Sequence, residues 1–194
     1  MTDYKPLLSA LAIAVMIIGY IPYLRDTVRG KTKPHVFSWV IGMIISFIAF
    51  GLQIQEKSGP ASFVTLSATI ISSVIVYFAI KNKDKDITKW DYICLLLSAM
   101  SLFAWLVVDQ PVLSMIFVVL TESISFIPTI RKSWNKPYTE TLSSYITNFF
   151  RFIIALLALN KYTFMAVGYP VTWLLLNGGF ALLLIHRRKS LGSI

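Results

Sequence analysis

"SISFIPTIR", residues 123–131, ends an apolar run with a proline and then an arginine, and "IIGYIPYLR", residues 17–25, does the same. At a constant offset of 106 residues, Ile18 falls on Ile124, Ile21 and Pro22 on Ile127 and Pro128, and Arg25 on Arg131. The register continues without a gap. Ser38 and Trp39 meet Ser144 and Tyr145, Ile48 and Ala49 meet Ile154 and Ala155, and Ser72 and Ser73 meet Gly178 and Gly179. The closing cations Lys81 and Lys83 fall on Arg187 and Lys189. Self-similarity at one fixed spacing is the mark of a repeated structural unit.

Composition says what kind of unit repeats. The chain has 194 residues, 56% of them hydrophobic and 14% charged, which is too apolar for a soluble domain. Seven apolar runs lie at about 6–24, 35–54, 60–80, 90–108, 111–130, 141–159 and 163–185. Each is close to the ~20 residues that a helix needs to cross a bilayer core. The expected fold is an all-α membrane protein with seven transmembrane helices. Each repeat holds three of them, an odd number that would invert the second triplet. One extra helix, the fourth, restores a parallel orientation about an axis along the membrane normal. The chain thus divides into a first three-helix repeat over 1–86, a linker helix over 87–109 and a second repeat over 110–194. Only "DQP", Asp109 to Pro111, separates the fourth and fifth runs, so that boundary is the least defined.

Charge placement orients the chain. Arg25, Arg29, Lys31 and Lys33, then Lys81, Lys83, Lys85 and Lys89, then Arg131, Lys132 and Lys136, then Arg187, Arg188 and Lys189 all lie on alternate connections. The opposite side holds Lys5, Lys57 and Lys161, and Arg151 lies inside a run. The positive-inside rule makes the basic loops cytoplasmic, with the N-terminus outside and the C-terminus inside. The plasma (inner) membrane is the expected location. Topology and contact with anionic lipid account for the net charge of +9 without nucleic acid. "MTDYK" is a poor basic leader, and the first run continues to Tyr23 as a full span. The lone cysteine, Cys94, excludes an internal disulfide and a multi-cysteine metal site. His35 and His186 stand far apart, and no HExxH, phosphate loop or nucleophile elbow occurs. Neither catalysis nor a cofactor or metal is expected.

A three-helix repeat, a proline near the cytoplasmic end of its first helix, a basic loop and a second helix opening on Ser-aromatic resemble the PQ-loop superfamily. Among its members the seven-helix, N-outside SWEET sugar facilitators are most similar. The last run, "YPVTWLLLNGGFALLLIHRRK" (169–189), resembles their final span. The glutamine of the name-giving motif is absent, with Tyr23 and Thr129 in its place, so the chain reads as a divergent member. The resemblance implies passage of a small polar solute (sugar, amino acid or vitamin-like) by alternating access around a midplane site. A membrane ligand or cargo receptor on the same scaffold is the alternative, since KDEL receptors resemble it too. The nearly neutral outer loops weigh against a basic, lumen-facing pocket.

The residues suited to that task can be named. Proline cannot donate to the carbonyl four residues back, so Pro22 and Pro128 free the carbonyls of Ile18 and Ile124. Two matched kinks would serve as hinges. Ser144, Thr147, Asn148, Arg151 and Ala155 share one face of the sixth helix, and Ser114, Thr121, Glu122, Ser125 and Thr129 share one of the fifth. Pro170, Trp173, Asn177 and Ala181 line up on the seventh, and Ser62, Thr65, Thr69, Ser72 and Ser73 on the third. Such stripes either meet around a wettable cavity or pack helices closely. Asn177, Trp173, Asn148 and Arg151 are the expected substrate-binding residues, amides offering donors and acceptors together and indole a flat wall. Glu122 is the expected proton-coupling residue. It and Arg151 both fall ~15–17 Å deep, near the midplane. An unpaired charge there costs at least ~2.5–3.5 kcal/mol. Their register partners, Met16 and Ile45, are apolar. Two readings stand side by side: a buried structural ion pair, or a site coupling protons or substrate to helix movement. A homo-oligomer is compatible with either.

Overall fold

The computed structural model describes residues 4–29, 34, 36–81, 89–135 and 137–192. Over them the chain forms α1 (Lys5–Val28), α2 (Val36–Gln55), α3 (Ala61–Lys81), α4 (Lys89–Leu106), α5 (Pro111–Asn135), α6 (Leu142–Leu157) and α7 (Phe164–Gly192). A short 3-10 turn, Pro137–Thr139, precedes α6, and no strand occurs among the described residues. Each α-helix coincides with one apolar run, as expected of backbone that must satisfy its own polar groups away from water. Three of them, α1, α3 and α7, are long and apolar enough to cross a membrane. The 16 residues of α6 reach only ~24 Å. Lys31, Lys33, His35, Lys83, Lys85 and Lys136 lie outside the described residues, as do the side chains of Cys94, Pro128, Arg131 and Lys132.

The boundary between α4 and α5 is a true break. Residues 107–110 form a turn in which the Gln110 N–H donates to the Ala104 carbonyl at 2.7 Å, and Asp109 has a φ of 53°. Pro111 then opens α5, where its missing N–H is no loss. Both α5 and α7 run past their apolar stretches. There Arg188 donates to the carbonyls of Pro137 (3.1 and 3.0 Å) and Glu140 (2.6 Å), while Arg187 donates to the Trp134 carbonyl at 2.9 Å. The cationic end of α7 therefore clasps the α5–α6 connection through backbone oxygens.

Packing brings α3 against both α1 and α2, and α7 against both α5 and α6. The two groups meet where α1 lies along α6 and α2 along α5; α4 covers α5 and α2. A soluble protein keeps polar groups outside, and here the reverse holds. Leu7, Ile18, Leu175 and Leu182 are exposed, whereas Gln53, Thr121, Glu122, Asn148, Arg151 and Asn177 are buried. Apolar surface on this scale fits a membrane protein.

The two lines of contact differ in chemistry. Between α1 and α6 the helices approach closely at Gly19: the Ser144 hydroxyl donates to its carbonyl at 3.1 Å. A Cβ at Gly19 would stand 2.8 Å from Cγ2 of Thr147. Between α2 and α5 hydrocarbon fills the gap, with Ile41, Ile45, Ile48 and Leu52 packed in one cluster with Met115 and Val118. At the end of the bundle where α2 and α6 finish, polar bonds stitch the groups together. Asn160 N–H donates to the Ser58 carbonyl at 2.9 Å, the Thr163 hydroxyl to Glu56 at 2.8 Å, Gln53 to the Ala166 carbonyl at 3.1 Å, and Lys5 to the Leu159 carbonyl at 2.8 Å. Gly59, at a φ of +79°, abuts the Asn160 amide in this seam, a backbone conformation that disfavours other residues.

Candidate functional site

Most hydroxyls of the polar stripes bond their own helix or a neighbour. On α5 the Thr121 hydroxyl donates to the Phe117 carbonyl at 2.7 Å and that of Ser123 to the Val119 carbonyl at 2.8 Å. Ser114 meets Ser101 of α4 at 3.0 Å. On α3 the Thr69 hydroxyl donates to Ser46 of α2 at 2.9 Å and that of Ser73 to the Thr69 carbonyl at 2.8 Å. A hydroxyl that donates to a carbonyl of its own helix has used its single donor and offers a solute only acceptor lone pairs.

What remains is a cluster of larger polar groups in the second triplet and the adjoining part of α1. Glu122 on α5 is 2% exposed, and Arg151 and Asn148 on α6 are 3% and 6% exposed. Of the two readings for Glu122 and Arg151, a direct ion pair is not formed: no Glu122 oxygen lies within 4.0 Å of an Arg151 nitrogen. Oε1 of Glu122, Nε and Nη1 of Arg151, Oδ1 of Asn148 and Nε1 of Trp173 are buried with no hydrogen-bond partner in the protein. Burial without a partner is costly for a neutral polar atom and far more so for a charge.

Two tyrosines join these groups. Tyr20 of α1 and Tyr169 of α7 each lie within electrostatic reach of both Glu122 and Arg151. Tyr20 also approaches the Asn148 amide, and the Trp173 indole approaches both Glu122 and Tyr169. One aromatic wall backs the cluster. The Arg151 guanidinium sits 4.0 Å over the Phe152 ring, and Phe152 stacks on Trp173 with 8° between their planes. A cation on a ring face gains electrostatic stabilisation, but a ring supplies no hydrogen-bond acceptor to the guanidinium edge.

The placement of the expected residues is therefore mixed. Glu122, Asn148, Arg151 and Trp173 come together. Asn177, 2% exposed, stands one turn beyond Trp173 and gives its Nδ2 donor to the Trp173 carbonyl at 2.7 Å. Asn148 likewise donates to the Ser144 carbonyl at 2.9 Å but leaves its oxygen unpartnered. Both α1 and α5 run uninterrupted through Pro22 and position 128. Sequence reading missed Tyr20 and Tyr169. The signal for Tyr169 was its position four residues before Trp173, hence on the same face of α7. Tyr20 lies inside the repeated "YIP" segment, where attention goes to the proline.

A groove of about 660 Å³ lies elsewhere, between α2, α3 and α4. Phe47, Phe50, Phe63 and Trp105 help to line it, and it carries no charged residue. It is unsuited to a polar solute. Compared with protein-family models, curated proteins and solved structures, the chain finds no match in any of the three.

Proposed function

We propose that this protein is a membrane transporter that passes a small polar solute by alternating access, with the Glu122–Arg151 cluster as its binding site. It is a divergent SWEET-like member of the PQ-loop superfamily, and catalysis is not its role. Seven helices span the plasma membrane with the N-terminus outside and the C-terminus in the cytoplasm. The observation that carries this reading is the pair of buried, opposite, unpaired charges beside the line where α1 meets the second triplet. A charge held in such a place without a partner is a functional group by default.

Helix packing lends support. In each triplet the third helix packs against the first and the second, and the lines between triplets are reciprocal, α1 with α6 and α2 with α5. That is the pattern expected of two parallel repeats related by an axis along the membrane normal. The polar seam through Ser58, Asn160, Glu56 and Thr163 lies at the end assigned to the outside, so this conformation is one closed to the exterior. Glu122 is the group that a proton or the solute itself would neutralise, and Pro22 and Pro128 are the hinges.

Proteoliposomes holding the purified chain should take up at least one of a panel of sugars, amino acids and vitamins, measured with and without a pH gradient. Uptake of none by a folded, inserted protein would overturn the transporter reading in favour of a receptor. Orientation is checked separately. Reporter fusions after Ser58 or Tyr162 should read as external, and fusions after Lys85 or Lys189 as cytoplasmic.

A further inference from the structure

The atoms left unpartnered at the cluster are of two kinds, and together they describe a ligand. Glu122 Oε1 and Asn148 Oδ1 are acceptors, the first on a carboxyl group that is negative when ionised. Arg151 Nε and Nη1 and Trp173 Nε1 are donors, one group bearing a positive charge. Glu122, Asn148 and Arg151 are all more than nine-tenths buried, so water does not readily satisfy them.

A neutral polyol would hydrogen-bond such a site yet leave the Arg151 charge, and that of Glu122 when ionised, uncompensated in a low-dielectric interior, where an uncompensated charge is costly. A pure cation would satisfy Glu122 and repel Arg151; a pure anion would do the reverse. One small molecule answers both ionisable groups at once: a zwitterion whose ammonium donates to Glu122 and Asn148 and whose carboxylate accepts from Arg151. Arg151 presents unpartnered N–H donors at Nε and at Nη1, either of which can meet a carboxylate oxygen in a charge-assisted bond. The separation of the charges by more than a salt-bridge distance suits a ligand that bridges them. The guanidinium lies against the Phe152 ring, which stacks on Trp173, so aromatic side chains back the Arg151 side of the site.

We infer that the solute is a zwitterion of the amino-acid class, bound with its ammonium on Glu122 and Asn148 and its carboxylate on Arg151. This rests on the transporter reading only for the word solute; the binding assignment stands on the charged cluster itself.

The test is binding to the full chain in detergent, followed by thermal unfolding and by titration. The probes are L-alanine, L-leucine and L-phenylalanine, each beside the amine lacking its carboxylate and the acid lacking its amino group, with glucose as the neutral control. At least one amino acid should bind, and its two one-charge analogues should bind about 10- to 100-fold more weakly, the loss expected for a hydrogen-bonded charged group. The variants give a crossed pattern that a structural role would not produce. Glu122→Gln should weaken the amino acid and the amine but spare the acid, whereas Arg151→Met should weaken the amino acid and the acid but spare the amine. Should a variant fail to fold, the comparison of analogues on the parent protein still decides. Binding of glucose in preference to all three amino acids, equal binding of a one-charge analogue, or no amino-acid binding at all would each overturn the assignment. Uptake of glucose alone would do so while leaving transport intact. Amino-acid binding without uptake would leave the assignment standing and remove the transporter reading.

Discussion

Met16 and Ile45 occupy, in the first half of the chain, the positions that the 106-residue register gives to Glu122 and Arg151 in the second. All four side chains are at most 3% exposed. Burial at these positions is therefore common to both halves, whatever the side chain. On the first-half side hydrocarbon fills the space and Ile45 joins the cluster with Ile48, Met115 and Val118. On the second-half side two charges fill it, unpaired and with orphaned donors and acceptors. Hydrocarbon fills the first-half positions, so substituting it in the second half tests whether the charges serve the fold or the proposed transport.

The largest expected effect comes from erasing that difference. Glu122→Met combined with Arg151→Ile places the first-half residues in the second half. Replacing buried charges by hydrophobic residues of similar volume is often neutral or stabilising by about 1–4 kcal/mol. The double variant should therefore unfold at or above the parent's temperature in detergent while its uptake falls at least about 100-fold, a loss of ~2.7 kcal/mol in transition-state stabilisation. Uptake at the parent's rate would show the charges to be dispensable. The single changes sharpen the point. If each unfolds the protein and the double variant recovers both folding and transport, Glu122 and Arg151 act as a structural pair in another conformation.

A smaller effect is expected along the two lines of contact. Gly19 faces Thr147 so closely that a Cβ there would lie at 2.8 Å, whereas Gly42 has nothing within 4 Å. Gly19→Leu should force α1 away from α6 and lower stability by about 1–3 kcal/mol, as overpacking does. Gly42→Leu should stay within about 0.5 kcal/mol of the parent. Thermal unfolding of the two variants side by side measures the contrast, and equal losses would contradict the close α1–α6 approach.

The smallest effect is expected of the matched prolines. Pro22→Ala and Pro128→Ala should each leave the protein folded and inserted, since the change restores a donor that the helix can use. Turnover should slow by up to about tenfold, ~1.4 kcal/mol in barrier, if bending there limits the cycle. Rates measured in proteoliposomes that match the parent's in both variants would make the prolines incidental.

Several features were legible in the residues alone. The seven apolar runs anticipate α1 to α7 because a helix deprived of water closes its own hydrogen bonds, which needs no knowledge of neighbours. The buried face of α6 was legible too, since Ser144, Asn148, Arg151 and Ala155 recur at helical spacing and all are buried. Asn177 shares a face with Trp173 and gives its Nδ2 donor to the Trp173 carbonyl, as Asn148 does to the Ser144 carbonyl, a local bond that helical spacing does not reveal.

Sequence by itself determined the helical class, the order and approximate length of the segments and the presence of one carboxylate and one guanidinium deep in apolar helices. These follow from composition and period, which act along one segment at a time. Tertiary structure decided that Glu122 and Arg151 do not pair, that Tyr20 from a helix more than a hundred residues away joins them, and that Phe152 and Trp173 stack behind the guanidinium. The physical reason is rotational. Spacing fixes which side chains share a face, but how each helix turns about its axis is set by contacts such as Gly19 with Thr147, made between residues far apart in the chain.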